Sequence, residues 1–81
     1  MTLDEFYQLS SNNQYELTIK EGIRIGYRED APYYMILYRL FDFYMEIKCR
    51  LKDDSVFRLG AFDHDILIQP YLDQIDLSDL F

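Results

Sequence analysis

The 81-residue chain has one cysteine, one histidine, no tryptophan, three glycines and two prolines. A lone Cys49 excludes an internal disulfide, and a single imidazole excludes the multi-Cys/His clusters that staple other small domains around zinc. Stability must therefore come from packing. There is also no Gly-rich phosphate loop, G-x-S-x-G elbow, H-E-x-x-H or Cys-x-x-Cys in the chain. No catalytic motif is readable and no cofactor or metal site is expected. No apolar run approaches the roughly 18 residues of a membrane span. Residues 1–6 carry Asp4 and Glu5 where a secretory leader would carry bases. The expectation is a cytoplasmic protein with no membrane partner.

Basic residues are absent from both ends. Residues 1–19 hold three acids and no base, residues 20–62 hold eight bases against seven acids, and residues 63–81 hold five acids and no base. The net charge of −7 thus sits at the termini. Such a field repels phosphate backbones and attracts basic surfaces, which argues against nucleic acid as a direct partner.

Large apolar side chains are plentiful: hydrophobic residues make up 49%, with eight Tyr and six Phe. A chain this short buries only about 60% of the surface its unfolded form exposes, so bulky aromatics suit it. Without repeats, low-complexity tracts or linkers, residues 1–81 read as one domain.

Thr2 followed by Glu5 has the spacing of a capping box, and Leu3, Phe6 and Leu9 recur at helical spacing, so a short helix is expected from Thr2 to Leu9. Ser10-Ser11-Asn12-Asn13 reads as the turn that ends it. Glu16 to Lys20 alternates around Leu17 and Ile19, and Ile23, Ile25 and Tyr27 alternate with Arg24 and Arg28, which together read as a hairpin about Glu21-Gly22. Tyr33 to Tyr38 is apolar on both faces, as a central strand would be. Phe43 to Leu51 and Val56 to Phe62 complete the strands. Opposing Leu51, Cys49 and Ile47 to Phe57, Leu59 and Ala61 keeps Arg58 off the buried face and implies an odd loop, Asp53-Asp54-Ser55. Beyond Phe62, Asp63-His64-Asp65 can cap a turn, Pro70 suits a first helical position, and Leu67, Tyr71 and Ile75 are spaced by four. The expected fold is α+β: an antiparallel meander of about five strands, with a short N-terminal helix and a C-terminal helix packed on one face.

Candidate chemistry is confined to single residues. Asp63-His64-Asp65 lacks the further ligands a metal needs, and helix capping accounts for it more simply. Cys49 lies on an apolar stripe, where a thiol behaves as a small hydrophobe. The outward sheet face, with Tyr44, Glu46, Lys48, Arg50, Arg58, Arg24 and Arg28 joined by Tyr34 and Tyr38, is rich in the Arg and Tyr that interfaces favour, although an ordinary solvated face with cross-strand ion pairs explains it more simply. In the tail, Leu77, Leu80 and Phe81 either seal the core or dock on a partner together with Asp73, Asp76 and Asp79.

The expected function is that of a non-enzymatic, small acidic protein-binding module. It would be an accessory or inhibitor protein docking on a basic surface of a larger protein, in its sharper form as a nucleic-acid mimic that blocks a nucleic-acid-binding enzyme. The partner-binding residues would be Asp73, Asp76, Asp79, Leu77, Leu80, Phe81, Tyr44, Arg50 and Arg58. The alternative is a structural homodimer formed through a strand edge or the tyrosine-rich sheet face.

Overall fold

The computed structural model describes residues 1–72 and 74. Helix α1 spans Leu3–Tyr7 and α2 spans Ser11–Glu21, followed by strands β1 (Ile23–Asp30), β2 (Tyr33–Leu40), β3 (Phe43–Arg50) and β4 (Val56–Phe62), and by a 3-10 helix, Asp65–Tyr71. The strands form one antiparallel sheet in the order β1-β2-β3-β4. It is a four-stranded meander, one strand fewer than expected. No helix among the described residues is long and apolar enough to cross a membrane.

The capping box forms as read: the Glu5 amide donates to Thr2 Oγ1 at 3.2 Å and the Thr2 amide donates to Glu5 Oε1 at 2.9 Å. The segment taken for a turn and a first strand is instead α2. Ser10 is its N-cap, its hydroxyl accepting from the Asn13 amide at 3.2 Å. Gln14, Leu17 and Thr18 face inward at helical spacing: Gln14 donates to the Phe6 and Leu9 carbonyls, and Thr18, fully buried, donates to the Gln14 carbonyl. Ile19, which alternation would bury beside Leu17, is 52% exposed. Burial at i, i+3 and i+4 together with a serine cap outweighs five alternating residues.

Strands β2, β3 and β4 lie within two residues of their expected bounds, and β2 is internal. The register of β3 with β4 keeps its parity, but Ile47 faces Leu59 and Met45 faces Ala61, two residues from the expected pairing. The loop runs over five residues, 51–55, and a bulge lies between Lys48 and Cys49 opposite Val56 and Arg58. Asp54 takes the left-handed position, φ 60°, that a glycine would otherwise fill. The Asp53 carboxylate accepts from the amide and hydroxyl of Ser55 and closes the turn. Leu51 is thereby in the loop and exposed.

The helices do not share a face. On one side α1 and α2 cover Leu40, Phe43, Met45, Ile47 and Cys49, with Phe6 driven into the cluster and its ring 5.2 Å from that of Phe43. Full burial of Phe6 is worth about 1.5–3 kcal/mol. On the other side Ile68 and Tyr71 of the 3-10 helix cover Met35, Leu37 and Tyr44. The reason is the sheet itself, whose inner strands are apolar on both sides and need two covers. Pro70 lies inside the 3-10 helix. Ile75 and the residues after it lie outside the described residues, as does any longer helix there.

Tyr71 fits because Gly26 has no side chain: a Cβ at Gly26 would stand 2.5 Å from the Tyr71 ring, whereas one at Gly60 would meet nothing within 4 Å. Gly26→Val is therefore expected to lower stability by about 1–3 kcal/mol, and Gly60→Val to leave the melting temperature unchanged or raised. Thermal denaturation of the two variants makes the comparison. In the same assay Ser10→Ala is expected to lose about 1 kcal/mol; an unchanged melting temperature would contradict the α2 cap.

Candidate functional site

Register assigns every outward side chain to a row across the sheet. Arg28 faces Met35, Met35 faces Lys48 and Lys48 faces Arg58, so three cations share one row with a methionine between them. The next row reads Gly26, Leu37, Glu46, Gly60, and the preceding one places Tyr33 opposite Arg50. Four of the eight bases, Arg28, Lys48, Arg50 and Arg58, thus converge on one face of a protein whose net charge is −7. Lys48 directly opposite Arg58 is a like-charge cross-strand pair, which opposes folding.

Aromatic rings hold part of this charge in place. Tyr33 and Phe57 are stacked, their centroids 4.7 Å apart. Lys48 Nζ stands 4.4 Å from the Tyr33 centroid and the Arg50 guanidinium 4.8 Å from that of Phe57. Arg50 also donates to Ser55 Oγ at 3.2 Å. Such contacts are worth about 0.5–1 kcal/mol at an exposed site. The bulge carries Phe57 onto this side, and the ring remains 44% exposed. Beside the platform an open groove of about 520 Å3 is lined by Arg28, Glu46, Lys48, Arg58, Gly60 and Pro70 among others. Arg28 Nε is buried without a hydrogen-bond partner among the described residues, its guanidinium lying over the Tyr71 ring.

The expected site residues separate. Arg50 and Arg58 lie on this face as expected, with Lys48, Glu46 and Arg28. Tyr44 shares the face but is buried at 9% exposure, stacked on Phe62 beneath the 3-10 helix, so it serves the core. Arg24, Tyr34 and Tyr38 belong to the opposite side: a register shift between Arg24 and Gly26 turns Arg24 over, and Tyr34 and Tyr38 pack against the α1/α2 cluster. Asp73, Asp76, Asp79, Leu77, Leu80 and Phe81 lie outside the described residues. Tyr33 and Phe57 escaped the sequence reading, because only the β2/β3 register and the bulge bring them together.

The other end of the sheet is acidic. Asp4, Asp42 and Asp63 line one depression beside Thr2 and Phe43. His64 occupies the N-cap position of the 3-10 helix without a side-chain cap bond, its Nε2 3.6 Å from Asp63 Oδ1, so the expected capping role is not seen for it. Among the described residues no three His, Cys, Asp or Glu side chains are grouped to hold a metal ion. Cys49 is buried and unpaired.

Comparison with known proteins finds no matching family model, no matching characterised protein and no matching solved structure.

Four tyrosines are held protonated. Burial and a hydrogen bond donated to Glu46 at 2.6 Å push the Tyr71 phenol above its ordinary range, with Arg28 acting in the opposite sense. Burial and the bond to Asp54 do the same for Tyr34, the bond to Glu29 for Tyr27, and burial for Tyr38. Because folding favours the neutral phenol, this stabilisation is complete below the unfolded tyrosine value of about 10 and is lost as pH rises through the folded values. Phenolate absorbance of the folded protein is expected to lag behind that of the denatured chain, with stability falling above about pH 10. Tyr71→Phe should remove one lagging group; superimposable titrations of folded and denatured chains would contradict the burial and hydrogen bonding of these phenols.

Proposed function

We propose that the chain is a non-catalytic protein-binding module, an accessory or inhibitor protein, whose docking surface is the cationic-aromatic half of the sheet. The observation that carries this reading is the exposed Tyr33–Phe57 stack with Lys48 and Arg50 poised on its rings. Arg and large aromatics dominate the energetics of protein interfaces, and a rigid stacked pair loses little freedom on binding. A cation row with one carboxylate, Glu46, beside it matches an acidic segment bearing apolar side chains. Single-stranded nucleic acid also stacks on such faces, but its phosphates would approach a protein of net charge −7.

A second reading, acidic side chains docking on a basic partner in the manner of a nucleic-acid mimic, is favoured by the meeting of Asp4, Asp42 and Asp63 at the far end of the sheet. One comparison decides between them. A partner isolated from the native host on the wild-type protein is expected to bind Lys48→Gln/Arg50→Gln/Phe57→Ala roughly tenfold more weakly, with unchanged circular dichroism. Its affinity for wild type should fall with salt, as the Debye length shortens from about 10 Å at 0.1 M to about 3 Å at 1 M. Loss of binding instead in Asp4→Asn/Asp42→Asn/Asp63→Asn or in Asp73→Asn/Asp76→Asn/Asp79→Asn, with the triple platform variant unaffected, would transfer the reading to the acidic side chains.

A further inference from the structure

The two edges of the sheet are treated differently. At the β1 edge the Gln74 side chain accepts from the Tyr27 amide and donates to the Tyr27 carbonyl, pairing with the strand as a neighbouring backbone would. That edge is closed. At the β4 edge Tyr7 donates its hydroxyl to the Ala61 carbonyl at 2.5 Å and so closes one end. Two-residue turns join β1 to β2 and β2 to β3, and in an antiparallel ladder alternate residues turn their backbone groups to opposite sides. Arg58 and Gly60 therefore face β3, while Leu59 directs its N–H and C=O outward. Val56 and Phe57, more than 40% exposed, flank it.

We propose that β4 pairs antiparallel with β4 of a second copy about a two-fold axis at Leu59, joining two meanders into one eight-stranded sheet. In that register Arg58 faces the partner's Gly60 on the cationic side of the sheet and Leu59 faces the partner's Leu59 on the side of α1 and α2, and the ladder stops short of Ala61, whose carbonyl the Tyr7 hydroxyl already holds. The strand is self-complementary at its one charge. A side chain at Gly60 would meet nothing within 4 Å in the monomer, so its absence there answers no packing need of one chain. It leaves open the space into which the other copy's arginine extends. The residue paired with Gly60 on β3 is Glu46, so the arginine passes over a glycine towards a carboxylate. The two backbones lie two strand spacings apart, roughly 10 Å, a gap that an Arg and a Glu side chain span by reaching towards each other. Symmetry makes this contact twice, as a closed two-fold interface requires. Among the described residues Arg58 has no ion pair within its own chain. This interface takes Arg58 and Glu46 from the docking face and leaves the Tyr33–Phe57 stack with Lys48 and Arg50 outside it.

Sedimentation equilibrium and oxidative cross-linking test the proposal. Wild-type protein is expected to show a reversible monomer–dimer equilibrium. Gly60→Lys, which fills the gap and sets a cation against the incoming Arg58, should weaken the dimer roughly tenfold or more without changing the circular dichroism. Register is read by mixing Arg58→Cys with Gly60→Cys: residues 58 and 60 would form a non-hydrogen-bonded pair, where side chains approach most closely, so a cross-linked dimer should form in the mixture and not in either variant alone. A wild-type protein that stays monomeric up to millimolar concentration overturns the proposal. So does a dimer that is indifferent to Gly60→Lys and cross-links as readily in one variant alone as in the mixture.

Discussion

The pairing of β2 with β3 places Met35, Leu37 and Tyr44 on one side of the sheet and Leu40, Phe43, Met45, Ile47 and Cys49 on the other. Both faces must then be kept from water by a chain of 81 residues. The N-terminal helices take one face and the 3-10 helix the other, and among the described residues the second cover is short. It reaches Gly26, where Tyr71 can lie flat against the backbone, and it leaves the β3–β4 end open. The uncovered part of the face is where the cations stand. The residues that no described helix shields must be able to face water, and long side chains with charged heads over aromatic rings do that.

Charge distribution follows the same geometry. A solvated sheet face ordinarily alternates sign across strands, since opposite charges directly facing each other stabilise and like charges do not. Here Lys48 faces Arg58, with Arg28 further along the row, and only Glu46 stands in the neighbouring row. The repulsion is partly relieved because Lys48 and Arg50 turn towards Tyr33 and Phe57. A local rule broken on an exposed surface is one that folding alone does not call for. Three acids, Asp4, Asp42 and Asp63, line one depression at the opposite end of the sheet.

What could be read from the sequence was what depends on neighbours in the chain. The capping box of α1 needs only Thr2 and Glu5, and strands β2 to β4 declare themselves by unbroken alternation or by continuous apolar runs. Helix α2 was misread because Leu17 and Ile19 fit an alternating pattern by accident, whereas the residues that matter, Gln14 and Thr18, are polar and act through hydrogen bonds to carbonyls that only the fold brings near. The site was half legible. Arg50 and Arg58 follow from strand parity, but Phe57 reaches the face through a bulge, and that bulge is held by a ring contributed by Tyr33, more than twenty positions away. No local pattern contains that contact.

The edges carry the last step of the argument. A four-stranded antiparallel sheet has two rows of unpaired backbone groups, and each invites another strand unless it is blocked. This chain blocks β1 with a side-chain amide that satisfies one N–H and one carbonyl together, an arrangement that requires Gln74 to be held by the same 3-10 helix that covers the second face. At β4 the cover among the described residues is a tyrosine hydroxyl at one end, and beyond the bulge the strand has no proline and a glycine where a lysine would have been easy. Because the segment that closes β1 also fills the hydrophobic face, disturbing Tyr71 or Ile68 would open an edge as well as a core. Stability of the second face and closure of the β1 edge at Tyr27 are therefore coupled through one short helix.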